Sequence, residues 1–115
     1  MISYDDFAKL EIRIGEIHSV EVVEGADKLL KLSVDVGEGV DVEGNQIRRQ
    51  ILSGIRTYFD DPQVLVGKKF PFLVNLEPRV IRGFESQGMI LAASHEDTLA
   101  LLVPTQDVPA GTKIK

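Results

Sequence analysis

The 115-residue chain contains neither cysteine nor tryptophan. Without thiols there can be no disulfide framework, no thiolate metal site and no cysteine nucleophile, and the fold needs no oxidising compartment. A cytoplasmic location is the expectation. Histidine is scarce too. His18 and His95 stand far apart with no ligand-like pattern around either, and His18 falls in an extended stretch where a surface role is usual. No apolar run approaches the roughly 18 residues that a spanning helix requires. Ser3, Tyr4, Asp5 and Asp6 stand where a signal peptide would carry positive charge and an apolar stretch. The chain therefore reads as neither membrane-embedded nor exported by a classical signal.

Positive charge is also in short supply. Thirteen Lys and Arg face eighteen Asp and Glu, a formal charge of −5, which argues against a generic nucleic-acid binder until the charge is located along the chain. Residues 1–45 carry four basic and eleven acidic side chains, residues 46–93 seven and four, and residues 94–115 two and three. A basic middle survives inside an acidic protein.

Signatures of catalysis are missing as well. Val66-Gly67-Lys68-Lys69 has the Gly-Lys of a phosphate loop but neither its upstream glycine nor its following Ser or Thr. Gly83 and Gly88 lack the strand before and the helix after that a dinucleotide site demands. The paired carboxylates Asp5-Asp6 and Asp60-Asp61 each adjoin an expected helix start, where acids offset unpaired N–H groups. Capping is the better reading. No enzymatic activity, cofactor or metal is expected.

What is present is one domain's worth of hydrophobic sequence, 43% of residues, with 27% charged. Ser3 followed by Asp6, with Phe7 and Leu10 three apart, predicts a short helical turn. A strand begins at Ile12, changes parity at Gly15 as for a bulge or bend, and continues through Val20, Val22 and Val23. Leu30, Leu32, Val34 and Val36 alternate with Lys31, Ser33 and Asp35 in a second strand. Residues 37–45 read as a mobile acidic connection, and Arg49 to Ile55 as a third strand. Asp60-Asp61-Pro62 predicts a short helix closed by Gly67. Phe70 to Val74 and Met89 to Ala93 supply the fourth and fifth strands, and residues 77–85 between them read as an irregular loop around Pro78 and Gly83. Leu99 to Val103 forms an apolar run ended by Pro104.

Five short strands with one short helix between the third and fourth match an OB-fold, an all-β, five-stranded Greek-key barrel, here with a C-terminal extension. Periodicity leaves an SH3-like barrel or a small sandwich open. A single domain over residues 1–115 is expected.

The segment from Asn75 to Ala93, including Pro78-Arg79-Val80-Ile81-Arg82-Gly83-Phe84-Glu85-Ser86-Gln87-Gly88-Met89, resembles the signature of the tRNA-binding domain found at the C-terminus of methionyl-tRNA synthetases and as free-standing dimeric tRNA-binding proteins. The resemblance extends to Asp6–Gly15, Ala26–Leu32, Arg49–Ile55 and Pro109–Lys115. It implies non-catalytic binding of tRNA by shape at the outer corner, as an accessory module of a methionyl-tRNA synthetase catalytic region or in trans to one, usually as a homodimer. Export-chaperone proteins of the same fold make binding of unfolded polypeptides the alternative.

By motif, the resemblance places RNA contacts on Lys28, Lys31, Asn75, Arg79, Arg82, Ser86 and Met89. The OB reading reaches the same region independently, because the loops between strands 1 and 2 and strands 4 and 5 flank one groove, with Lys28 assigned to the first and Arg79 and Arg82 to the second. Basic groups there can neutralise phosphates, Asn75 and Ser86 can hydrogen-bond, and Met89 offers an apolar surface to an unstacked base. Two departures weaken the electrostatics. Val80 stands where the family commonly has Lys, and Glu77 stands where a neutral or basic residue is frequent. The connection from Gly37 to Gln46 is also longer and more acidic than usual. The apolar run at Leu99 to Val103 would leave one face wet in a lone barrel, which also predicts a homodimer.

Overall fold

The structure is a computed structural model that describes residues 1–115. Strands β1 (Ile12–Val23), β2 (Ala26–Asp35), β3 (Arg49–Ser53), β4 (Lys69–Leu73) and, after two strands of a hairpin, β7 (Met89–Ile90) form an antiparallel sheet in the order β3-β2-β1-β4-β7. The intervening hairpin is β5 (Arg79–Ile81) with β6 (Phe84–Ser86), and a last hairpin pairs β8 (Ala92–His95) with β9 (Thr98–Leu101). The architecture is all-β. Helix is confined to α1 (Tyr4–Ala8) and two 3-10 turns, Arg56–Tyr58 and Pro62–Leu65.

Helix α1 starts where the cap residues place it. The Ser3 hydroxyl accepts the Asp6 N–H at 3.1 Å, and the Asp6 carboxylate accepts the Ser3 N–H at 3.3 Å. The Ser3 backbone bond, followed by Lys9 and the Ser3 hydroxyl, holds the Asp6 carboxyl below its ordinary 3.8. The helix buries no residue. It is an entry device and adds nothing to the core.

Strand β1 sets the shape of the sheet. Its first half, Ile12 to Glu16, pairs with β4, and its second half, from Glu16 onward, pairs with β2. The edge left open beside the first half is taken by the C-terminal tail. Ile14 N–H donates to Thr112 O at 2.8 Å, and Gly111 and Ile114 donate back to Ile14 O and Ile12 O. The first of two register slips against β2 falls between Ile17 and Ser19 rather than at Gly15, so His18 is the extra residue, and its side chain is exposed. The second falls between Val22 and Val23. Glycine at position 15 has a different cause. A Cβ there would lie 2.7 Å from both Phe72 Cδ2 and Val34 Cγ1.

The alternation in β2 sends Leu30, Leu32 and Val34 inward, where they meet Ile17, Ile51, Phe70, Phe72 and Ile90 in the main core. Between β3 and β4 the sequence predicts a helix of nearly two turns. At the expected position the structure has only the 3-10 turn Pro62–Leu65, begun by the Asp61 carboxylate accepting the Gln63 N–H and by Pro62 in the first position. It is cut short because Val66 already has extended backbone and the Gly67 N–H crosses to Ile17 O at 2.8 Å.

Three other expectations are corrected. The 37–45 connection is a folded turn. Asp41 accepts the N–H groups of Glu43 and Asn45, and Val40 bridges Gln46. The fifth strand is two strands, because β7 ends at Ile90 and β8 departs after Leu91 into the second hairpin. The supposed loop at residues 77–85 is the β5–β6 hairpin. Arg82 and Gly83 both have positive φ (53° and 84°), the backbone of a tight two-residue turn whose twist matches the flanking strands.

The sheet is not closed by a strand ladder. At the open seam between β3 and the β6–β7 connection, Gln87 N–H donates to Gln50 O at 2.8 Å, Gln87 Oε1 accepts the Gln50 N–H at 2.9 Å, and Ser86 Oγ accepts the Leu52 N–H at 3.0 Å. Gln50 Nε2 donates to Glu85 O at 3.0 Å as well, so side chains do much of the work of a missing strand. From the packing at β1 we expect Gly15→Ala to lower stability by about 1–3 kcal/mol, the usual cost of overfilling a core. Urea unfolding should show an earlier midpoint with an unchanged slope, and a wild-type midpoint would refute the close approach of Phe72 and Val34.

Candidate nucleic-acid interface

The β5–β6 hairpin lies against the outer side of β2 and β3. Ile81 and Phe84 pack with Leu29 on a small cluster of Val23, Ala26 and Leu52, separate from the main core. The hairpin tip thereby comes to the end of the sheet that carries the turn at Gly25. Lys31 fastens it from the side. Its ammonium sits 4.4 Å from the Phe84 ring centroid and 2.9 Å from Glu21 Oε2.

The seven candidate residues divide by what they already hold. Arg79 and Arg82 are exposed and have no acidic partner, one on strand β5 and the other at the turn. Lys28 is likewise exposed and unpaired, but it belongs to strand β2, not to the loop before it. Met89 opens β7 and is 44% exposed.

The remaining three are engaged within the chain. Lys31 is tied as described. Asn75, two residues past β4, accepts the Glu11 N–H at 2.8 Å and donates to Lys9 O at 2.7 Å, so both ends of its amide hold the α1–β1 junction. Ser86 is buried, and its hydroxyl accepts from Leu52 while donating to Gly88 O at 3.1 Å. Ser86 is closed to a ribose or base, whereas Asn75 is exposed and its amide keeps a second N–H and a second lone pair. Val80 is 75% exposed on β5, directly opposite Glu85, and is not in an irregular loop.

Sequence reasoning passed over a second set. Ser19, Ser33, Arg48, Gln50 and Gln87 join Lys31 in lining a polar groove of about 300 Å³ beside the hairpin, with Leu32 its one apolar wall. The doublet Arg48-Arg49 in the basic middle was the available signal. Its two members differ in kind. Arg48 is exposed and bonded only to Gln46 Oε1 at 2.8 Å, whereas Arg49 donates to Val74 O, to Gln87 O at 3.1 Å and to both oxygens of Glu38. Arg49 is thus a clamp joining β3, the end of β4 and the start of β7.

The clamp is reciprocal. The hydrogen bond from Arg49 holds the Glu38 carboxyl below its ordinary 4.5 against some desolvation. A carboxyl depressed in the folded state contributes stability above its ordinary pKa, and that contribution fades as pH falls through the folded value.

Of the thirteen basic residues, Lys9, Arg13, Lys31, Arg49 and Lys69 have carboxylate partners within 4.0 Å. The others, Arg79, Arg82, Lys28, Arg48 and Arg56 among them, have none. No group of three His, Asp or Glu side chains converges as a metal site would require. The arrangement offers separated cations, a polar groove and a half-exposed methionine, and no assembled acid, base or nucleophile.

This division makes an expected outcome. Ser86→Ala strands the buried Leu52 N–H and should cost about 1–3 kcal/mol of stability, while Arg79→Ala, which removes an exposed and unpaired group, should leave the stability within about half a kcal/mol of wild type. Equal effects in the two melting curves would contradict the structural assignment of Ser86.

Residues 12–113 match the family described as "Putative tRNA binding domain". The chain is 44% identical over 113 residues to methionine–tRNA ligase of Caldanaerobacter subterraneus subsp. tengcongensis, covering 98% of this chain and 16% of that protein. It is 47% identical over 116 residues to the ligase of Deinococcus radiodurans, covering 100% and 16%. The chain therefore spans about a sixth of the length of these relatives. A MetRS related protein from Pyrococcus horikoshii has a similar structure, at TM-score 0.86 and 34% identity, over 100% of this chain and 98% of that one. Chaperone CsaA of Bacillus anthracis aligns at TM-score 0.83 and 29% identity, over 100% and 99%. By the match across residues 12–113 and the identity to the ligases along almost its whole length, the chain belongs to the tRNA-binding domain family.

Proposed function

We propose that this chain is a single OB-fold domain that binds tRNA by shape at its outer corner and catalyses no reaction, serving a methionyl-tRNA synthetase as an attached module or in trans in the cytoplasm. The observation that carries the reading is the β5–β6 hairpin. Its Arg79 and Arg82 are exposed and form no ion pair, and its tip at Arg82 lies toward the end of the sheet that carries the turn at Gly25. The five-stranded sheet, coiled about one core and sealed by Gln87 and Ser86 at the seam, supports a Greek-key barrel. Contacts of this kind read the spacing of phosphates on a folded RNA and not its sequence.

Binding of unfolded polypeptides is the alternative, motivated by the likeness to chaperone CsaA. An extended apolar peptide needs an apolar channel. The groove beside the hairpin has one hydrophobic wall among nine lining residues, which favours RNA.

A homodimer completes the proposal. Leu99 and Leu101 of β9 turn inward on the core, contrary to an unpatterned run, but Ala92, Ala93, Ala100, Leu102 and Val103 leave an apolar strip exposed on the β8–β9 hairpin and the residues after it. A second copy covering that strip would give twice the monomer mass by light scattering at micromolar concentration. A monomer mass would defeat this part of the reading.

For RNA, roughly three to five phosphates engaged per subunit predict a slope of log affinity against log salt of about −2 to −5. Arg82→Ala should flatten it by about one. The decisive titration compares folded tRNA, plain duplex RNA and an unfolded peptide at fixed salt. Salt-insensitive tRNA binding, an unchanged slope in Arg82→Ala, or preference for the peptide would overturn the assignment.

A further inference from the structure

Between the β5–β6 hairpin and the body of the sheet lies a cavity of about 120 Å³. At the roughly 30 Å³ a water occupies in the liquid, it has room for about four waters, a space suited to one flat ring system and too small for a run of nucleotides. Its apolar walls are Leu52, Leu76, Ile81 and Met89, and Glu77 and Arg79 stand at its exposed rim. The floor is fixed. At Gly88 a Cβ would lie 2.8 Å from Leu73 O, so the backbone there has no room to carry any other side chain.

Glu77 makes no hydrogen bond or ion pair within the chain, although the exposed Arg79 lines the same cavity. An ionised carboxylate has two acceptor oxygens and no donor. Among the four RNA bases, only guanine presents two adjacent donors on one edge, N1–H and the exocyclic amine. The corresponding edges of adenine, cytosine and uracil each put an acceptor beside the donor, which would face a carboxylate oxygen. Arg79 on the same rim supplies the cation for the attached phosphate.

We propose that this cavity is a guanine pocket, in which one unstacked guanine inserts against Leu52, Ile81 and Met89 and is selected by the Glu77 carboxylate. The inference rests on the tRNA reading above and adds base selectivity to binding by shape. It gives Glu77 a role that a purely electrostatic interface would penalise.

The test is an amide-resolved NMR titration of the wild-type chain and Glu77→Gln with guanosine, inosine and adenosine 5′-monophosphates, with folded tRNA titrated into the same samples. Guanosine monophosphate should shift the Leu52, Ile81 and Met89 amides and bind roughly ten-fold tighter than the inosine compound, which lacks only the exocyclic amine, as expected for loss of one charge-assisted hydrogen bond. In Glu77→Gln that difference should vanish with the melting temperature unchanged, while Arg79→Ala should weaken all three nucleotides alike. Equal binding of the guanosine and adenosine nucleotides, or discrimination that survives Glu77→Gln, would overturn the pocket. If tRNA still binds with its salt dependence in that case, the tRNA reading stands without it. If guanine is selected and tRNA is not bound, the reverse holds.

Discussion

Strand β1 is hydrogen-bonded along both edges, and the domain depends on how it manages this. A twelve-residue strand cannot keep one flat partner over its whole length without leaving half the core open. Here it passes from β4 to β2 at Glu16, with the C-terminal tail filling the edge that β2 leaves free. The crossover brings Phe72 of β4 and Val34 of β2 over the same point of β1, and only a residue without a Cβ lets them meet there. Coiling the sheet about that contact is what brings β3 within reach of the β6–β7 connection. The seam, the hairpin and the cavity beneath it follow from that approach.

Exposed ion pairs contribute little stability, so the paired cations matter for what else they hold. Arg49 carries a different weight because its guanidinium also satisfies the carbonyls of Val74 and Gln87 across the seam. Lys31 uses its aliphatic stem and charge together, since Phe84 would otherwise expose a ring on the outer side of the sheet. Structural duties thus fall on the cations near the middle of the sheet, and the cations at its end and on the hairpin remain available. Arg79 and Arg82 can therefore be engaged or removed without loosening the fold that presents them.

Much of this was legible in the sequence, for physical reasons that vary by segment. The period of two in β2 and the Ser3 and Asp61 caps are local signals, and each marked its element. The β5–β6 hairpin escaped because its turn is Arg82-Gly83, where the usual first residue at positive φ is Asn, Asp or Gly. Pro78 and short strands completed the disguise. Within the candidate site, exposed and unpaired charge was legible, as at Arg79 and Arg82. The engagement of a polar side chain with a distant backbone group was not. Asn75 reaches Lys9 and Glu11, Ser86 reaches Leu52, and no spacing along the chain encodes such contacts.

Net negative charge does not contradict the proposed binding of a polyanion once distances are considered. Strand β3 rises about 3.3 Å per residue, so its start at Arg49 lies about 13 Å from its end at Ser53. Glu38 is bonded to Arg49 at the first end, and Asp41 and Glu43 lie in the turn beyond it. The hairpin tip is at the other end, past Leu52. That separation exceeds the roughly 8 Å screening length at physiological salt, so the acids of the connection weaken the field at Arg82 little under those conditions and more as salt is removed. The total charge of −5 then governs long-range approach, which it slows, while the local arrangement governs the bound state. Affinity measured across salt contains both, and the net repulsion opposes the gain that low salt gives to phosphate contacts. The long acidic connection is therefore a brake on encounter that leaves the contact surface itself intact.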